Sequence, residues 1–256
     1  MAMTRRREPA QLSMRLPVPP APPKRGGRRA GAGRPRTRPL PEGWRPGRRF
    51  VPHLRRAAID RHKPAHVTLR LCRIARTLRN GKLYQAIHGA LRAAAERDGF
   101  RIIHFSVQGD HLHLIIEADS RRALARGMQG LGVRLARAVN RRLERKGPVL
   151  ADRYHARVLA NPTAVKHALL YVLNNARHHA AQRGATYPRG WLDPYSSAAD
   201  FGGWRRAVRL DPDATYLPRC TAPPASWLLR GGWKRVGLLD PDGTPGPTAA
   251  PAFAAY

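Results

Sequence analysis

His111 and His113 stand one residue apart at the head of the apolar run GDHLHLIIEA, Gly109 to Ala118. On a strand, positions i and i+2 share a face, so the two imidazoles would project side by side while Leu112 and Leu114 point the other way. Two neutral imidazoles on one face make half a metal site. Isolated strand histidines also serve simply by hydrogen bonding to a carbonyl or to water, so the pair needs partners. Tyr171 and Asn175, in ALLYVLNNARHH, are one helical turn apart and share a face, framed by Leu169, Leu170, Val172 and Leu173. A phenol with a pKa of about 10 is a poor nucleophile at neutral pH. Beside a divalent ion that polarises a phosphoryl oxygen, the same phenol and carboxamide can address a metal-bound phosphate.

The elements that must position these residues follow from hydrophobic period and stop signals. HVTLRLC, His66 to Cys72, alternates as a strand, and KLYQAIHGALRAAAERDG has Leu83, Ala86, Ile87, Leu91 and Ala94 on one helix face, with Gly99 placed to end it. FRIIHFSV and HLHLIIEA are strands joined by the turn QGD. A long basic helix is expected from Arg121 to Lys146, capped by Ser120 and stopped by Gly147-Pro148. DRYHARVLA then reads as a strand and TAVKHALLYVLNNARHHA as one continuous helix after Asn161-Pro162. The order β-α-β-β-α-β-α predicts an α+β, ferredoxin-like (RRM-like) antiparallel sheet with helices on one face.

Three segments are expected: a disordered Arg/Pro-rich basic arm over residues 1–62, a folded domain over 63–182, and a Trp/Gly/Pro-rich extension over 183–256. The arm serves either as a non-specific phosphate binder or as an unselected tail. Met3 and Met14 are alternative starts. In the extension, Trp191, Trp204, Trp227 and Trp233 either clamp short helices onto the domain or offer stacking surface to a DNA hairpin.

The 256 residues carry 48 Lys and Arg against 16 Asp and Glu, a formal charge of +32, which points to a polyanionic partner and first to nucleic acid. A membrane partner is disfavoured, because no apolar stretch is long enough to span and the N-terminus lacks the apolar core of a secretory signal. Cys72 and Cys220 form no metal or disulfide pattern, in keeping with a reducing, cytoplasmic setting and association with the nucleoid.

In this order and spacing, VQGDHLHLIIEA, GPVLADRYHARVL and LLYVLNNARHH resemble the single-tyrosine HUH transposases, in particular the group associated with repetitive extragenic palindromes, over roughly residues 63 to 180. The resemblance implies Mg²⁺ or Mn²⁺ held by His111, His113 and Asn175. It implies that Tyr171 attacks single-stranded DNA to form a 5′-phosphotyrosyl intermediate, and that the protein is a homodimer in which the tyrosine helix reaches the partner's site. Two departures stand out. Ala176 replaces the usual proline after the asparagine, leaving the helix free to continue. Gln108-Gly109-Asp110 replaces the frequent Met-Pro-Asn, so that Asp110 either joins the ligands or holds an imidazole in its ligating tautomer.

Tyr154 is a second candidate nucleophile, or else a packing or base-stacking aromatic. Arg121, Arg122, Arg126, Arg134 and Arg137 are read as phosphate contacts, and His167, His178 and His179 as a solvated basic face. Two other functions compete with strand transfer: a non-catalytic protein that binds hairpin DNA or RNA, and a two-histidine phosphoesterase suggested by HVTL and HFSV.

Overall fold

The computed structural model describes residues 58–75 and 77–245. The arm expected over residues 1–62 lies outside them except for its last five residues, of which Ile59 is buried in the core.

Five strands form one open antiparallel sheet: β1 (Ala65–Arg70), β2 (Glu96–Arg97), β3 (Phe100–Val107), β4 (His111–Ala118) and β5 (His155–Val158), in the spatial order β2-β3-β4-β1-β5. Without the short β2, this is the strand order of the α+β, ferredoxin-like arrangement anticipated from the element order. β4 lies at the centre, pairing with β1 through Thr68 opposite His113 and with β3 through Ser106 opposite His113.

Alternation sorts the strand residues between two cores. Val67, Leu69, Leu112, Leu114 and Ile116 face α1 (Gly81–Arg92) and α2 (Arg121–Arg142). The apolar stripe of α2, Leu124, Met128, Leu131, Leu135 and Val139, recurs at helical period and is fully buried there. Each such leucine contributes about 1.5–3 kcal/mol by leaving water. Ser120 begins the helix by accepting a hydrogen bond from Ala123 N at 3.1 Å. Gly127 lets α2 sit directly on Phe100, whose ring would be 2.2 Å from a Cβ at that position. Gly127→Ala is therefore expected to destabilise the fold by about 1–3 kcal/mol despite alanine's better helix propensity, read as a lower denaturation midpoint of the full chain.

The second sheet face is not bare, in contrast to the helices-on-one-face expectation. Ile103 and Ile115 meet α3 (Pro162–Leu173), together with Leu192, Phe201, Leu228, Leu229 and Trp233 of the C-terminal extension. The physical reason is that β3 and β4 carry apolar residues on both faces, so each face must be covered. Glu117 ties the extension to the sheet by accepting hydrogen bonds from Ala225 N and Ser226 N, both at 2.8 Å, at the start of α5 (Trp227–Arg230). Trp233 and Trp204 are anchored through their indole N–H groups to Leu229 O and Ala198 O, whereas Trp227 is exposed.

Three element ends differ from the sequence expectation. α1 stops at Arg92 rather than at Gly99; Asp98-Gly99 forms the tight β2–β3 turn, with Gly99 at φ +65°. α2 stops at Arg142, because Glu144 takes a left-handed conformation at φ 50° before Gly147 is reached. The expected single helix over 163–180 is two, α3 and α4 (Asn175–Gln182), broken at Asn174. The Asn174 amide donates to the carbonyls of Asp240, Pro241 and Gly243, contacts from a distant segment that no local pattern encodes. Among the described residues no helix is long and apolar enough to cross a membrane.

Candidate active site

β4 delivers His111 and His113 to the α3-side face, as the i, i+2 spacing requires, and sends Leu112 and Leu114 into the opposite core. Their Nε2 atoms converge at 3.0 Å. The outer nitrogens are each held. Asp110 accepts from His111 Nδ1 at 2.7 Å, and Arg70 in turn donates to Asp110 from Nε and Nη2 at 3.2 and 3.1 Å. The hydrogen bond with His111, followed by the Arg70 charge, keeps the Asp110 carboxyl far below the usual carboxylate range. Asp110 thus meets the Nδ1 side of the His111 ring, while the Nε2 side faces His113. Arg70, directly opposite His111 in the β1–β4 register, is a site residue that the linear sequence does not signal.

His113 Nδ1 lies 3.1 Å from His66 Nε2 and 3.2 Å from Thr68 Oγ1. His113 is 1% exposed and His66 4%, so burial, followed by neighbouring positive charge, keeps both imidazoles neutral; the His66 pKa falls to about 3.

Tyr171, in the last turn of α3, lies edge-on to His113 and His66 of its own chain, with ring centroids 5.0 and 5.6 Å away. It is 1% exposed, and burial raises its pKa, opposed by the nearby Asn175 carboxamide. Asn175 opens α4 fully buried, and neither its Oδ1 nor its Nδ2 completes a hydrogen bond. A buried carboxamide left unsatisfied costs about 1–3 kcal/mol, so the position favours an additional partner.

The donor set fits a small divalent ion. Two ligands at right angles with bonds of about 2.1 Å stand about 3.0 Å apart, matching the separation of the two Nε2 atoms. Asn175 adds an oxygen of the kind Mg²⁺ and Mn²⁺ accept. The fit rests on two imidazoles and a carboxamide, because among the described residues no group of three or more His, Cys, Asp or Glu side chains is arranged to hold a metal.

Other candidates are drawn away from this point. Tyr154 packs against the core on the α1/α2 side, the sheet face opposite Tyr171. Arg121, Arg122, Arg126 and Arg137 are exposed on α2, across the sheet from the histidine pair, and Arg134 is half-buried, donating to Gly130 O at 3.0 Å. They form a separate basic surface. The HVTL and HFSV histidines stand on β1 and β3 with β4 between them, and His104 is engaged by Ser197 Oγ at 3.1 Å and by the Phe201 ring. That arrangement does not assemble a two-histidine phosphoesterase centre. By contrast, His178 and His179, expected on a solvated face, turn inward: their rings lie 6.0 Å from Tyr171 and 6.4 Å from His111. His178 Nδ1 also bonds Pro245 O at 3.0 Å, bringing the end of the described chain beside the tyrosine.

Residues 64–174 match the family model described as "Transposase IS200 like". Among solved structures, a REP-associated tyrosine transposase bound to a REP hairpin aligns at 17% identity and a TM-score of 0.44, covering 59% of this chain and 84% of that one. A Deinococcus radiodurans protein described as a transposase aligns at 14% identity and a TM-score of 0.34, covering 56% of this chain and 100% of that one. None of the curated proteins matches the chain.

Proposed function

We propose that the chain is a member of the IS200-like transposase family, whose model residues 64–174 match, and that it cleaves and rejoins single-stranded or hairpin DNA with Tyr171 as nucleophile. The observation that carries the reading is the convergence of the His111 and His113 Nε2 atoms at 3.0 Å beside the Tyr171 ring. His111, His113 and Asn175 would hold Mg²⁺ or Mn²⁺, which when bound polarises a phosphoryl oxygen and orients the scissile bond. Tyr171 Oη bonds to phosphorus as the P–O3′ bond breaks, and the phenol proton ends on the departing O3′, so that the upstream fragment leaves with a free 3′-hydroxyl while the downstream fragment stays on the tyrosine through its 5′-phosphate. Attack by a 3′-hydroxyl reverses the step, joins strands and returns the proton to Tyr171. Asp110 and Arg70 keep His111 oriented throughout.

The near-complete burial of Tyr171 favours the alternative, a transposase-derived protein that binds hairpin DNA or RNA without cutting it. Incubating the full chain with labelled hairpin single strands and Mg²⁺ or Mn²⁺, then running a denaturing gel, separates the two: the nuclease gives a covalent protein–DNA band, the binder none.

The basic arm is expected to add affinity without sequence preference. Deleting residues 2–57, which spares the packed Ile59, should weaken binding to hairpin, unstructured strand and duplex alike. The salt dependence should also flatten, by about 0.7 in slope per lost phosphate contact on single strands. Titrations of both proteins at several salt concentrations check this, and loss confined to the hairpin would make the arm part of the recognition surface.

A further inference from the structure

Resting on the metal reading just proposed, we propose that His66 is a positioning residue whose hydrogen bond to His113 reverses direction when a divalent ion enters, giving the site a tautomer switch across three histidines.

A neutral imidazole has one N–H and one lone pair. Asp110 is a carboxylate and only accepts, so His111 carries a hydrogen on Nδ1, and as a neutral ring it turns the lone pair of Nε2 toward His113; the switch operates with this neutral form. With no cation between the two rings, two lone pairs at 3.0 Å repel, and the stable arrangement puts the hydrogen of His113 on Nε2, donating to His111. His113 Nδ1 then accepts, and the donors within reach are His66 Nε2–H at 3.1 Å and the Thr68 hydroxyl at 3.2 Å. Three rings and a carboxylate form one directional chain in which every facing nitrogen is satisfied.

A cation between the two Nε2 atoms requires both lone pairs. His113 must then carry its hydrogen on Nδ1, and the acceptors available to that N–H are the same His66 Nε2 and Thr68 Oγ1. The proton lost from each Nε2, on His113 and on His66, is matched by one gained at each Nδ1, so the change is neutral in charge. His66 supports both states because its Nε2 can donate in one and accept in the other. A residue that only donates, such as lysine, or that only packs, such as phenylalanine, supports at most one. Burial holds the partners in register: both histidines are nearly inaccessible, and the His66 ring is fixed against His113 and Tyr171 at centroid distances of 5.2 and 5.6 Å. His66 therefore acts through His113 and need not touch the ion.

The test uses the full chain labelled with ¹⁵N-histidine, two-bond ¹H–¹⁵N spectra to read each ring's tautomer, and Mn²⁺ affinity by electron paramagnetic resonance. In EDTA, His111 should be the Nδ1–H form and His66 and His113 the Nε2–H form. With Mg²⁺, His113 and His66 should both change to Nδ1–H while His111 stays as it was. His66→Phe should weaken Mn²⁺ binding by about 10–100-fold, the usual range for loss of a partner behind a metal-bound histidine. His66→Gln, whose amide can donate or accept near the Nε2 position, should recover most of that loss, which a purely structural role would not explain; thermal melts establish that each variant is folded. Should His66→Phe be unfolded, the tautomer reading on the unmodified protein decides alone. If the unmodified protein binds Mn²⁺ but His66 keeps its tautomer, or if folded His66→Phe binds as tightly, the switch is refuted and the metal site stands. If the unmodified protein takes up no Mn²⁺ and the His111 and His113 signals do not respond, the metal reading falls and the switch with it.

Discussion

Tyr171→Phe is expected to abolish the covalent protein–DNA product while leaving DNA affinity within about twofold of the unmodified protein. The substitution removes only the attacking oxygen. The ring keeps its edge-on contacts with His113 and His66, and its place in the buried cluster of Val165, Leu169 and Val172. Binding, which depends on basic and shape-reading surface, has no reason to change. Tyr154→Phe should leave the adduct intact, because Tyr154 packs on the opposite sheet face with the α1/α2 core. A denaturing gel with labelled single strands reads both variants. An adduct that survives Tyr171→Phe and vanishes in Tyr154→Phe would reverse the nucleophile assignment.

His111→Ala and His113→Ala should each lower strand cleavage by about 10³-fold or more, and Asn175→Ala by less, since imidazole binds transition ions more strongly than a carboxamide. The two histidine variants are not equivalent for folding. His111 is half-buried, whereas His113 is enclosed and its loss removes the buried partner of His66 and Thr68. His113→Ala should therefore also lower thermal stability, by about 1–3 kcal/mol, with His111→Ala closer to the unmodified protein. Asp110→Asn should retain the fold yet weaken Mn²⁺ binding by about 10–100-fold, because the carboxamide no longer enforces the Nδ1–H form of His111. Cleavage rates, Mn²⁺ affinity and melting curves on the same preparations separate these effects. Full cleavage in EDTA would overturn the metal site.

What the linear sequence determines here is local and periodic. The two-residue spacing of His111 and His113 necessarily puts them on one strand face with Leu112 and Leu114 on the other, and Ser120 and Asn161 mark helix starts because their side chains satisfy nearby N–H groups at 3.1 and 2.8 Å. The charge of +32 likewise follows from composition alone. The two-layer covering of the sheet, the break at Asn174 and the identity of the residues behind the histidine pair belong to tertiary structure. Nothing within several residues of Asn174 predicts a helix break, since the carbonyls that hold its amide come from positions 240–243. Arg70, His66 and Thr68 become site residues only when the β1–β4 register places them against His111 and His113, some 40 residues away in the chain. Tyr154 and Tyr171 look alike as isolated tyrosines, and the sheet separates them onto opposite faces. Periodicity specifies which way a side chain points from its own element; which partners wait there depends on strand pairing and long-range hydrogen bonds, set only when the whole chain packs.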